Sequence, residues 1–600
     1  MNYSESDLNI IPTQNGLRPV MNGVDEISSF IMGSLSERWL SNPEPLIIAF
    51  DGYVGADWSI VLELKEKLEE QGVSVGLIDS TDFFKNSQEI WKMIEPCITV
   101  DQHFGKMYRG DLNDFLDNNA VVKFKEKIRE SNNNLFICFG YGSSSTLINA
   151  SYDYVFYIDV THEDFVKSVQ KENLWFVPKG ALNAEGVADV GMSIQTFKLT
   201  RYVYAPLFDK HRRNVLRKMD FYITTATQLK IIPRSTFDYV MSRLSRQPFK
   251  LKPLYIQGPW GGQWIKQKRE IPEDYKNCAW AFEAVTSDMS LLVELGEDVF
   301  EVPFDTFLAS NPKYILGKRV FNKFGYFFPL RVHYDDSYDG GNMAIQVHPD
   351  HSYVRKQFSE KVGQQEAYYI VETKDDSRVF LGLRDGIDIA DFYQEALESK
   401  ESHVPLNYEE YVNSFPSKPG DLFLIPSGTV HALGKDQVCL EIGTSYGYTF
   451  HVYDYLRPDL NGNLREIHLD HAFNVINSHL KLNFSHERLK PMPKVIAVQE
   501  NGTEYLFERV KEILFEVHRV EFSTLWRDDT LGDFHILTVI KGDVTIRAEN
   551  DMSNSVVVTN SKTVIVPACF GKYLIESDQN CVIIKVLVKK RVQPTSTRTL

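Results

Sequence analysis

The sequence contains few cysteines, and no two of them are close enough to form a CxxC pair. The six cysteines of the 600-residue chain are widely scattered, at Cys97, Cys138, Cys278, Cys439, Cys569 and Cys581. This usage is typical of reduced thiols in a cytosolic protein and argues against a disulfide framework. The first twenty residues lack both a basic start and an apolar core, so they predict no signal peptide.

Long apolar runs and an excess of basic residues are also missing. No uninterrupted apolar run approaches the ~20 residues of a membrane helix, so we expect a soluble, cytoplasmic protein with no membrane partner. The formal net charge of −16 argues against a nucleic-acid partner, because phosphate backbones require a clustered basic face. The net charge does not argue against a small phosphorylated substrate, because binding one needs only a few local basic groups.

Up to about residue 240, short apolar runs alternate with amphipathic helical patterns. The strand-like PLIIAF at 45–50 is followed by the helical pattern SIVLELKEKLEEQ at 59–71 and then by VSVGLID at 73–79. Alternation of this kind is typical of βαβ units around a mostly parallel sheet. We therefore predict an α/β domain over residues 1–240.

From about residue 250, aromatic and β-branched segments separated by Gly, Pro, Asn and Asp dominate. DLFLIPSGTVHAL at 421–433 and FHILTVIKGDVTIRA at 534–548 are examples. This texture predicts all-β sandwiches or barrels. We place one such domain at 241–490, interrupted by a helical insertion near 386–415, and a second at 491–600. The predicted fold class is a multidomain α/β plus all-β chain.

The strongest chemical signal begins in IQVHPD at 345–350. Gln346 and His348 are two residues apart, so both side chains point to the same face of a strand. Glu366 follows in the strand-like GQQEAYYIV, and His431 follows the turn-forming PSG. Each residue alone is more often an ordinary packed or exposed side chain. Together they suit a catalytic divalent metal with one open position; zinc is the first choice, and manganese, iron, cobalt and nickel fit the same ligands.

Several motifs in a fixed order resemble the class I mannose-6-phosphate isomerases over about 250–600. They are PWGGQW, AWAFE, IQVHPD, GQQE, IPSGTVHAL and EIGTSYGYTFHVYDYL. The resemblance implies two cupin domains, which are jelly-roll β-barrels, and one Zn²⁺ per chain bound by Gln346, His348, Glu366 and His431. It also implies a hexose phosphate substrate and the reversible conversion of mannose 6-phosphate to fructose 6-phosphate.

The residues around the implied metal depart from the family pattern at two positions. Glu441 matches the family's acidic residue and is the candidate for acid–base catalysis, the alternative being a structural strand carboxylate. His451 stands where the family has arginine, and Gln364 stands where it has lysine. His451 could be protonated near neutrality, with an unperturbed pKa of about 6.5, but it lacks arginine's fixed fork. We keep His451 as a catalytic candidate and Gln364 and Arg457 as substrate contacts; Arg457 or Arg465 could compensate for the missing charge.

The segment PLIIAFDGYVGADWS at 45–59 has the order strand, glycine-rich turn, helix. A working phosphate-binding loop reads GxxxxGK[ST], whereas this chain has Asp57 and Trp58 in place of the final Gly-Lys and keeps only Ser59. Residues 40–235 resemble uridine-kinase-like P-loop kinases with a degenerate P-loop. We interpret the region as a degenerate kinase-like domain that does not hydrolyse ATP and that either binds a nucleotide or sugar phosphate or simply docks onto the barrels. We interpret the basic KHRR at 210–213 as a solvated helix face.

These observations lead to one preferred function and two alternatives. The preferred function is a zinc-dependent sugar-phosphate aldose–ketose isomerase. The loss of the P-loop lysine and of two cations near the metal is consistent with a non-catalytic sugar-phosphate or nucleotide sensor or scaffold built on an isomerase-like cupin. A different cupin enzyme that uses iron or manganese is the third possibility.

Overall fold

The computed structural model of the protein describes residues 7–41, 44–129, 133–148, 152–170, 194–445, 447–477, 489–507 and 511–590. Within these residues, strand–helix alternation gives way to strand-rich chain at about residue 250, as the sequence pattern predicts. All six cysteines lie in the described part and are free thiols. No helix among the described residues is long and apolar enough to cross a membrane.

The first part of the chain forms an α/β unit. Its elements are β1 (Leu8–Ile11), β2 (Met21–Asn22), α1 (Gly23–Ser41), β3 (Leu46–Gly52), α2 (Ser59–Glu70), β4 (Val75–Asp79), α3 (Ser87–Ile98), α4 (Asn118–Arg129), β5 (Leu135–Phe139), β6 (Tyr154–Asp159), α5 (His162–Gln170), α6 (Ile194–Lys198), α7 (Ala205–Val215), β7 (Phe221–Thr224), β8 (Lys230–Pro233) and α8 (Arg234–Leu244). A π-helical turn, Leu199–Tyr204, joins α6 to α7.

The predicted, mostly parallel sheet is confirmed in this unit. The strand order is β2-β8-β7-β6-β3-β5-β4, and β4, β5, β3, β6 and β7 run parallel, whereas β8 and β2 are antiparallel to their neighbours. The central strands have nearly continuous apolar sequences because helices cover both faces of a parallel sheet.

The second unit is rich in β-strands. Its elements are β9 (Leu254–Ile256), α9 (Trp264–Lys268), β10 (Trp280–Phe282), β11 (Ser290–Leu295), β12 (Asp298–Pro303), α10 (Phe304–Ser310), α11 (Pro312–Leu316), α12 (Lys318–Phe324), β13 (Leu330–Asp336), β14 (Ile345–Val347), α13 (His351–Phe358), β15 (Glu366–Thr373), β16 (Arg378–Leu383), α14 (Ile389–Ser402), β17 (Val412–Pro416), β18 (Leu422–Ile425), β19 (His431–Leu433), β20 (Gln437–Thr444), β21 (Phe450–Tyr453) and α15 (Leu469–Val475). Helix α14 lies in the predicted insertion.

Two sheets build the core of the second unit, and their facing surfaces position the candidate site. One has the order β18-β15-β20-β13-β10-β9 and the other β17-β16-β19-β14-β21. Glu366 at the start of β15 and His431 at the start of β19 come from different sheets, yet their side-chain atoms are 3.3 Å apart. The two sheets therefore face each other across a shared interior, the arrangement expected of a sandwich or barrel.

The last unit repeats this construction. Its strands are β22 (Lys494–Gln499), β23 (Gly502–Leu506), β24 (Phe515–Phe522), β25 (Leu525–Asp529), β26 (His535–Lys541), β27 (Val544–Ala548), β28 (Asp551–Val558), β29 (Thr563–Val566), β30 (Lys572–Glu576) and β31 (Cys581–Val588). The sheets β22-β23-β24-β31-β26-β29 and β25-β30-β27-β28 share one core, in which Leu537 and Ile583 of the first sheet pack with Trp526 and Ile575 of the second.

The first strand of the chain belongs to the second unit's strands rather than to the parallel sheet. Strand β1 pairs in parallel with β11, which pairs with β12. Asn9 reinforces this contact, since its Nδ2 donates to the carbonyl oxygens of Leu292 and Lys250 and its Oδ1 accepts from the amide of Lys250. The domain boundaries at 240 and 490 stay predictions, and strand pairing crosses the first of them.

The carboxyl edge of the parallel sheet is also packed against the second unit. Thr306 of α10 donates a hydrogen bond to Asp159 at the end of β6, and Thr224 donates to the carbonyl oxygen of Glu301. Arg212 donates to Thr306 from α7. In open α/β sheets, ligands usually bind at this edge. Here a helix of the neighbouring unit lies against it.

Helix α7 corrects one expectation about charge. The Nε2 atom of His211 lies 2.8 Å from Asp51 Oδ2, and Arg212 pairs with Asp209. Both His211 and Arg212 are buried. The interpretation of KHRR as a solvated face is wrong for these two residues, because a helix packed between two units buries charges on both sides.

We predict that the aromatic stack at the centre of the parallel sheet controls the stability of the α/β unit. Phe156 is fully buried and stacks on Phe50 and Phe221 with ring centroids 4.5 and 4.6 Å apart. Phe156→Ala should lower the free energy of unfolding by about 3–5 kcal/mol, because it leaves a cavity in a packed core. Urea unfolding followed by circular dichroism measures this change. Val122→Ala, at a residue 57% exposed, is the control and should change it by less than ~0.5 kcal/mol.

Candidate metal and active site

Gln346, His348, Glu366 and His431, hereafter the ligand cluster, converge in the interior of the second unit. Glu366 Oε2 lies 3.0 Å from His348 Nε2 and 3.3 Å from His431 Nε2. The Gln346 amide nitrogen lies 3.3 Å from His431 Nε2. All four side chains are at most 6% exposed. The sequence motifs therefore identified four side chains that meet around one point.

Neighbouring strands and one tight turn bring these residues together. Gln346 on β14 pairs with His431 on β19, so both side chains project from the same face of the sheet. The turn before His431 depends on Gly428, whose φ is +84° and whose amide donates to the carbonyl oxygen of His348. A Cβ at Gly428 would lie 2.8 Å from the carbonyl oxygen of Val475, so glycine is required there.

Backbone carbonyl groups orient both histidines of the ligand cluster. His348 Nδ1 is 3.0 Å from the carbonyl oxygen of Tyr448, and His431 Nδ1 is 2.8 Å from that of Thr429. Each Nδ1 therefore donates to a carbonyl oxygen, and each Nε2 is directed at Glu366, where it donates a hydrogen bond when it carries a proton and offers its lone pair to a metal ion when it does not. Metal-binding histidines show this pattern of an outer hydrogen bond that fixes the tautomer.

Glu366 is an ionised carboxylate inside a buried site. Burial acts to raise its pKa, but the charge and hydrogen bond of His348, the hydrogen bond of His431 and the charge of Arg331 hold the pKa well below its usual value. Gln364 also donates to Glu366 through its amide nitrogen, while its amide oxygen accepts from the backbone N–H of Tyr448. Both ends of the Gln364 amide therefore hydrogen-bond to the protein.

A second group of polar side chains lies beside the ligand cluster, and sequence analysis identified only one of them. Glu441 Oε1 accepts from Arg331 at 2.7 Å, and the same Arg331 donates to Glu366 at 2.6 Å. His333 Nε2 lies 3.4 Å from Glu441 Oε1 and 3.3 Å from Asp335 Oδ1. Arg331, His333 and Asp335 alternate along β13, so the sequence RVHYDD carried a signal for one polar face.

The electrostatics of Glu441 suit proton transfer. Glu441 is 3% exposed, and burial together with the charge of Glu366 raises its pKa to about 7, against the opposing effect of His333. Burial acts to lower the pKa of His333, but the carboxylates of Glu441 and Asp335 on either side of it raise that pKa to about 10. A carboxyl group whose pKa lies near neutral pH can both accept and release a proton.

His451 does not carry a positive charge in this site. Burial and the nearby Arg465 lower its pKa to about 3, so protonation near neutrality is excluded. Its Nδ1 donates to the carbonyl oxygen of Glu466 at 3.0 Å, and its Nε2 lies 3.4 Å from the Arg465 guanidinium. His451 pairs with Gln346 across β14 and β21. It therefore presents a neutral acceptor where the family has a charged donor.

The two arginines after β21 have different positions. Arg457, predicted to bind substrate, pairs with Asp454 and lies over the ring of Tyr455. Arg465 pairs with the same Asp454 and reaches His451. Arg465 therefore lies within hydrogen-bond distance of His451, the position at which the resemblance implies an arginine.

The donor set of the ligand cluster fits a divalent metal ion. Two imidazole nitrogens, one carboxylate and one amide are ligands that zinc and first-row transition metals accept. The ligand atoms of His348, Glu366 and His431 lie within 4.8 Å of one another. The residues of this chain could therefore hold such an ion, with Gln346 completing the set.

Backbone amides of the glycine-rich loop after β3 are already hydrogen-bonded within the protein. Gly52, Tyr53, Gly55 and Ala56 each donate their amide hydrogen to a protein oxygen, and for Gly55 that acceptor is the hydroxyl of Tyr141. The ring of Trp58 lies 5.3 Å from that of Tyr141. Phosphate-binding loops direct such amides at the ligand instead.

Comparisons with known proteins support one of the two resemblances. A family model described as a domain of unknown function, DUF8485, matches residues 23–246. The mannose-6-phosphate isomerase ManA of Bacillus subtilis (strain 168) is 27% identical over 237 residues, which cover 39% of this chain and 69% of that protein. The "Probable mannose-6-phosphate isomerase GmuF" of the same organism is 27% identical over 333 residues, which cover 55% of this chain and 96% of that protein.

Solved structures of the same kind also match. The mannose 6-phosphate isomerase of Bacillus subtilis aligns with a TM-score of 0.46 and 22% identity, covering 57% of this chain and 99% of that one. The resemblance of residues 40–235 to P-loop kinases gains no support, because the family model that matches this region describes a domain of unknown function. Over about half its length, then, the chain is similar in sequence to mannose-6-phosphate isomerases.

Proposed function

We propose that this protein is a zinc-dependent aldose–ketose isomerase that interconverts mannose 6-phosphate and fructose 6-phosphate. The convergence of Gln346, His348, Glu366 and His431, with their Nε2 and carboxylate atoms about 3 Å apart, is the observation that carries the proposal. Sequence similarity to mannose-6-phosphate isomerases supports the choice of reaction.

The ligand cluster and Glu441 have separate roles in this proposal. The ligand cluster would hold the zinc ion, which would supply Lewis-acid polarisation of the substrate oxygens. Glu441 removes the proton from C2 of the aldose and returns it to C1, while the hydroxyl proton of O2 is transferred to O1. Arg331 and His333 both contact Oε1 of Glu441, so we assign the proton transfer to Oε2.

Two positions of this site, His451 and Gln364, lack the positive charge that the resemblance to the isomerases implies. His451 is neutral, and the Gln364 amide contacts Glu366 and Tyr448. We propose that Arg465, 3.4 Å from His451, is the cation that contacts the substrate. Loss of a charge-stabilising donor costs about 10²–10³ in kcat, so we expect a slower enzyme than a family member with both cations.

The same charge loss favours a second candidate function, a protein that binds a hexose phosphate without converting it. The neutral His451 is the observation in its favour. Thermal stabilisation by mannose 6-phosphate without product formation would favour this candidate, and product formation would exclude it. We do not extend the proposal to nucleotides, since the loop amides of Gly52, Tyr53, Gly55 and Ala56 are bonded within the protein.

Removing a ligand-cluster histidine should remove the metal. We expect the unmodified protein to bind about one zinc ion per chain, and His348→Ala and His431→Ala to bind well below one. A free metal concentration of a thousand times the Kd stabilises the folded protein by about 4 kcal/mol. Both variants should therefore also lose the rise in Tm that added zinc gives. Elemental analysis and thermal unfolding measure these effects. His535→Ala, in the last unit, is the control and should keep its zinc; a full equivalent in His348→Ala would contradict the assignment.

Replacing the proposed acid–base group should separate catalysis from metal binding. Glu441→Gln should lower kcat for mannose 6-phosphate by about 10²–10⁴ while zinc content is unchanged, because general acid–base catalysis contributes on that scale. A coupled assay for fructose 6-phosphate measures the rate. Glu504→Gln is a matched control, since Glu504 is also buried and also pairs with a cation, Lys585, but in the other barrel. Equal rates for the two variants would exclude Glu441 as the base.

A further inference from the structure

A loop of the α/β unit lies against the part of the second unit that surrounds His451. This segment, residues 99–109 and hereafter the cap loop, follows helix α3. The amide of Met107 donates to the carbonyl oxygen of Phe358 at 2.9 Å, and Arg109 donates to that of Ser359. The cap loop is therefore bound at the C-terminal end of α13, the helix that follows His348.

Phe104 anchors the cap loop in an aromatic pocket of the second unit. Its side chain is buried, with 8% exposed. The rings around it, with centroids 5.2–5.9 Å away, are those of Phe358, Tyr448, Phe450, His468 and His471. Packing of this kind is typical of a stable intramolecular contact and differs from that of an exposed loop tip.

Charged and polar contacts surround this anchor. Asp101 Oδ2 lies 2.6 Å from His471 Nε2, and Asp101 Oδ1 accepts the amides of His103 and Phe104 at 2.8 Å. His103 pairs with Glu466 through its Nδ1. The cap loop thus contributes a carboxylate and an imidazole to the same region of the second unit.

His103, Glu466 and His468 lie close enough together to suggest a metal site, but the hydrogen bonding of His468 argues against one. His468 Nδ1 accepts from the backbone N–H of His451 at 3.2 Å, so its other nitrogen carries the proton. The trio is better explained as a contact between the two units.

These contacts extend directly to the ligand cluster. Glu466 accepts from His451 Nδ1 through its carbonyl oxygen, and the ring centroids of His451 and His468 are 5.4 Å apart. Tyr448, which contacts Phe104, also accepts from His348 Nδ1 through its carbonyl oxygen. Tyr448 alone therefore separates the cap loop from His348 of the ligand cluster, and Glu466 separates it from His451, which pairs with Gln346.

The backbone around the cap loop is unusual at two places. Thr99, its first residue, has a φ of 54°, a conformation that β-branched residues rarely adopt. The π-helical turn Leu199–Tyr204 places Arg201 over the ring of Tyr448, 4.7 Å from its centroid, and Arg201 donates to the carbonyl oxygen of Gly447. Strained residues and π-helical turns occur preferentially at functional sites.

We propose that the α/β unit forms one wall of the substrate site and limits access to the ligand cluster through the cap loop. The inference rests on metal binding by the ligand cluster, but not on the identity of the reaction. The cluster is at most 6% exposed, so a ligand of hexose phosphate size needs an opening, and we assign that opening to the Phe104 contact. His103 then faces the entering ligand next to Glu466 and His468.

Metal release tests this proposal without measuring turnover. The full-length zinc-loaded protein is mixed with excess EDTA, and the rate of zinc loss is compared between the unmodified protein and Phe104→Ala. We expect zinc loss to be at least about tenfold faster in the variant, because loss of the anchor favours the open form. The ligand cluster is unchanged, so the zinc content before EDTA should equal that of the unmodified protein. Asp101→Asn, which retains Oδ1 but loses the ion pair with His471, should increase the rate of zinc loss by a smaller factor than Phe104→Ala does.

The control is a truncation of the same size inside the α/β unit. Phe83→Ala removes a ring that is 3% exposed and packs in a separate cluster with Ile78 and Phe136. It should leave the rate of zinc loss unchanged. An equal acceleration by Phe83→Ala, or no acceleration by Phe104→Ala, would overturn the proposal.

A second measurement applies even if the protein binds no zinc. Hydrogen–deuterium exchange of residues 447–453 should increase in Phe104→Ala and stay unchanged in Phe83→Ala. Protection that is equal in all three proteins would contradict the cap role. Failure of the isomerase assay with a positive exchange result would reject the proposed reaction and leave the wall assignment intact.

Discussion

The buried carboxylate of Glu366 is the constraint on which the arrangement of the second unit depends. An ionised group with 1% exposure is strongly destabilising unless opposite charges and hydrogen bonds surround it. His348, His431, Arg331 and Gln364 all direct polar atoms at it. These residues come from strands of both sheets and from the segments next to them, so the requirement to satisfy one anion fixes how the two sheets face each other. The same requirement fixes the position of Glu441, because Arg331 bridges the carboxylates of Glu366 and Glu441.

Sequence patterns predicted the parts of this structure that depend on local or ordered signals. The alternation of apolar runs and helical patterns predicted the parallel sheet, and the order of the motifs predicted that the four cluster residues converge. His451 lies opposite Gln346, beside the ligand cluster, but burial and Arg465 lower its pKa, so it is neutral where the sequence allowed a protonated imidazole. Arg465 and Arg457 are equivalent cations in the sequence, and only the fold shows that both pair with Asp454 and that Arg465 also reaches His451.

The individual contacts between the α/β unit and the second unit could not be predicted from the sequence. Nothing in residues 99–109 indicates that Asp101 and Phe104 contact a unit hundreds of residues away, since such contacts leave no periodicity. The same reason explains the buried His211 and Arg212, which pair with Asp51 and Asp209 on a helix packed between the two units. The glycine-rich loop after β3 had the order of a phosphate site, yet Tyr141 supplies the oxygen that its Gly55 amide needs. The succession of strand, glycine-rich turn and helix therefore does not by itself establish a function for this unit.

Strand β1 has a consequence for how the chain is made. Residues 8–11 pair with β11 and are synthesised almost 300 residues before it. The parallel sheet, whose last strand ends at Pro233, can assemble on the ribosome as soon as its own strands have emerged, but β1 must wait with its backbone unpaired until β11 follows. During translation β1 is thus an open strand edge, and its contact with β11 is one of the contacts between the first two units that form late.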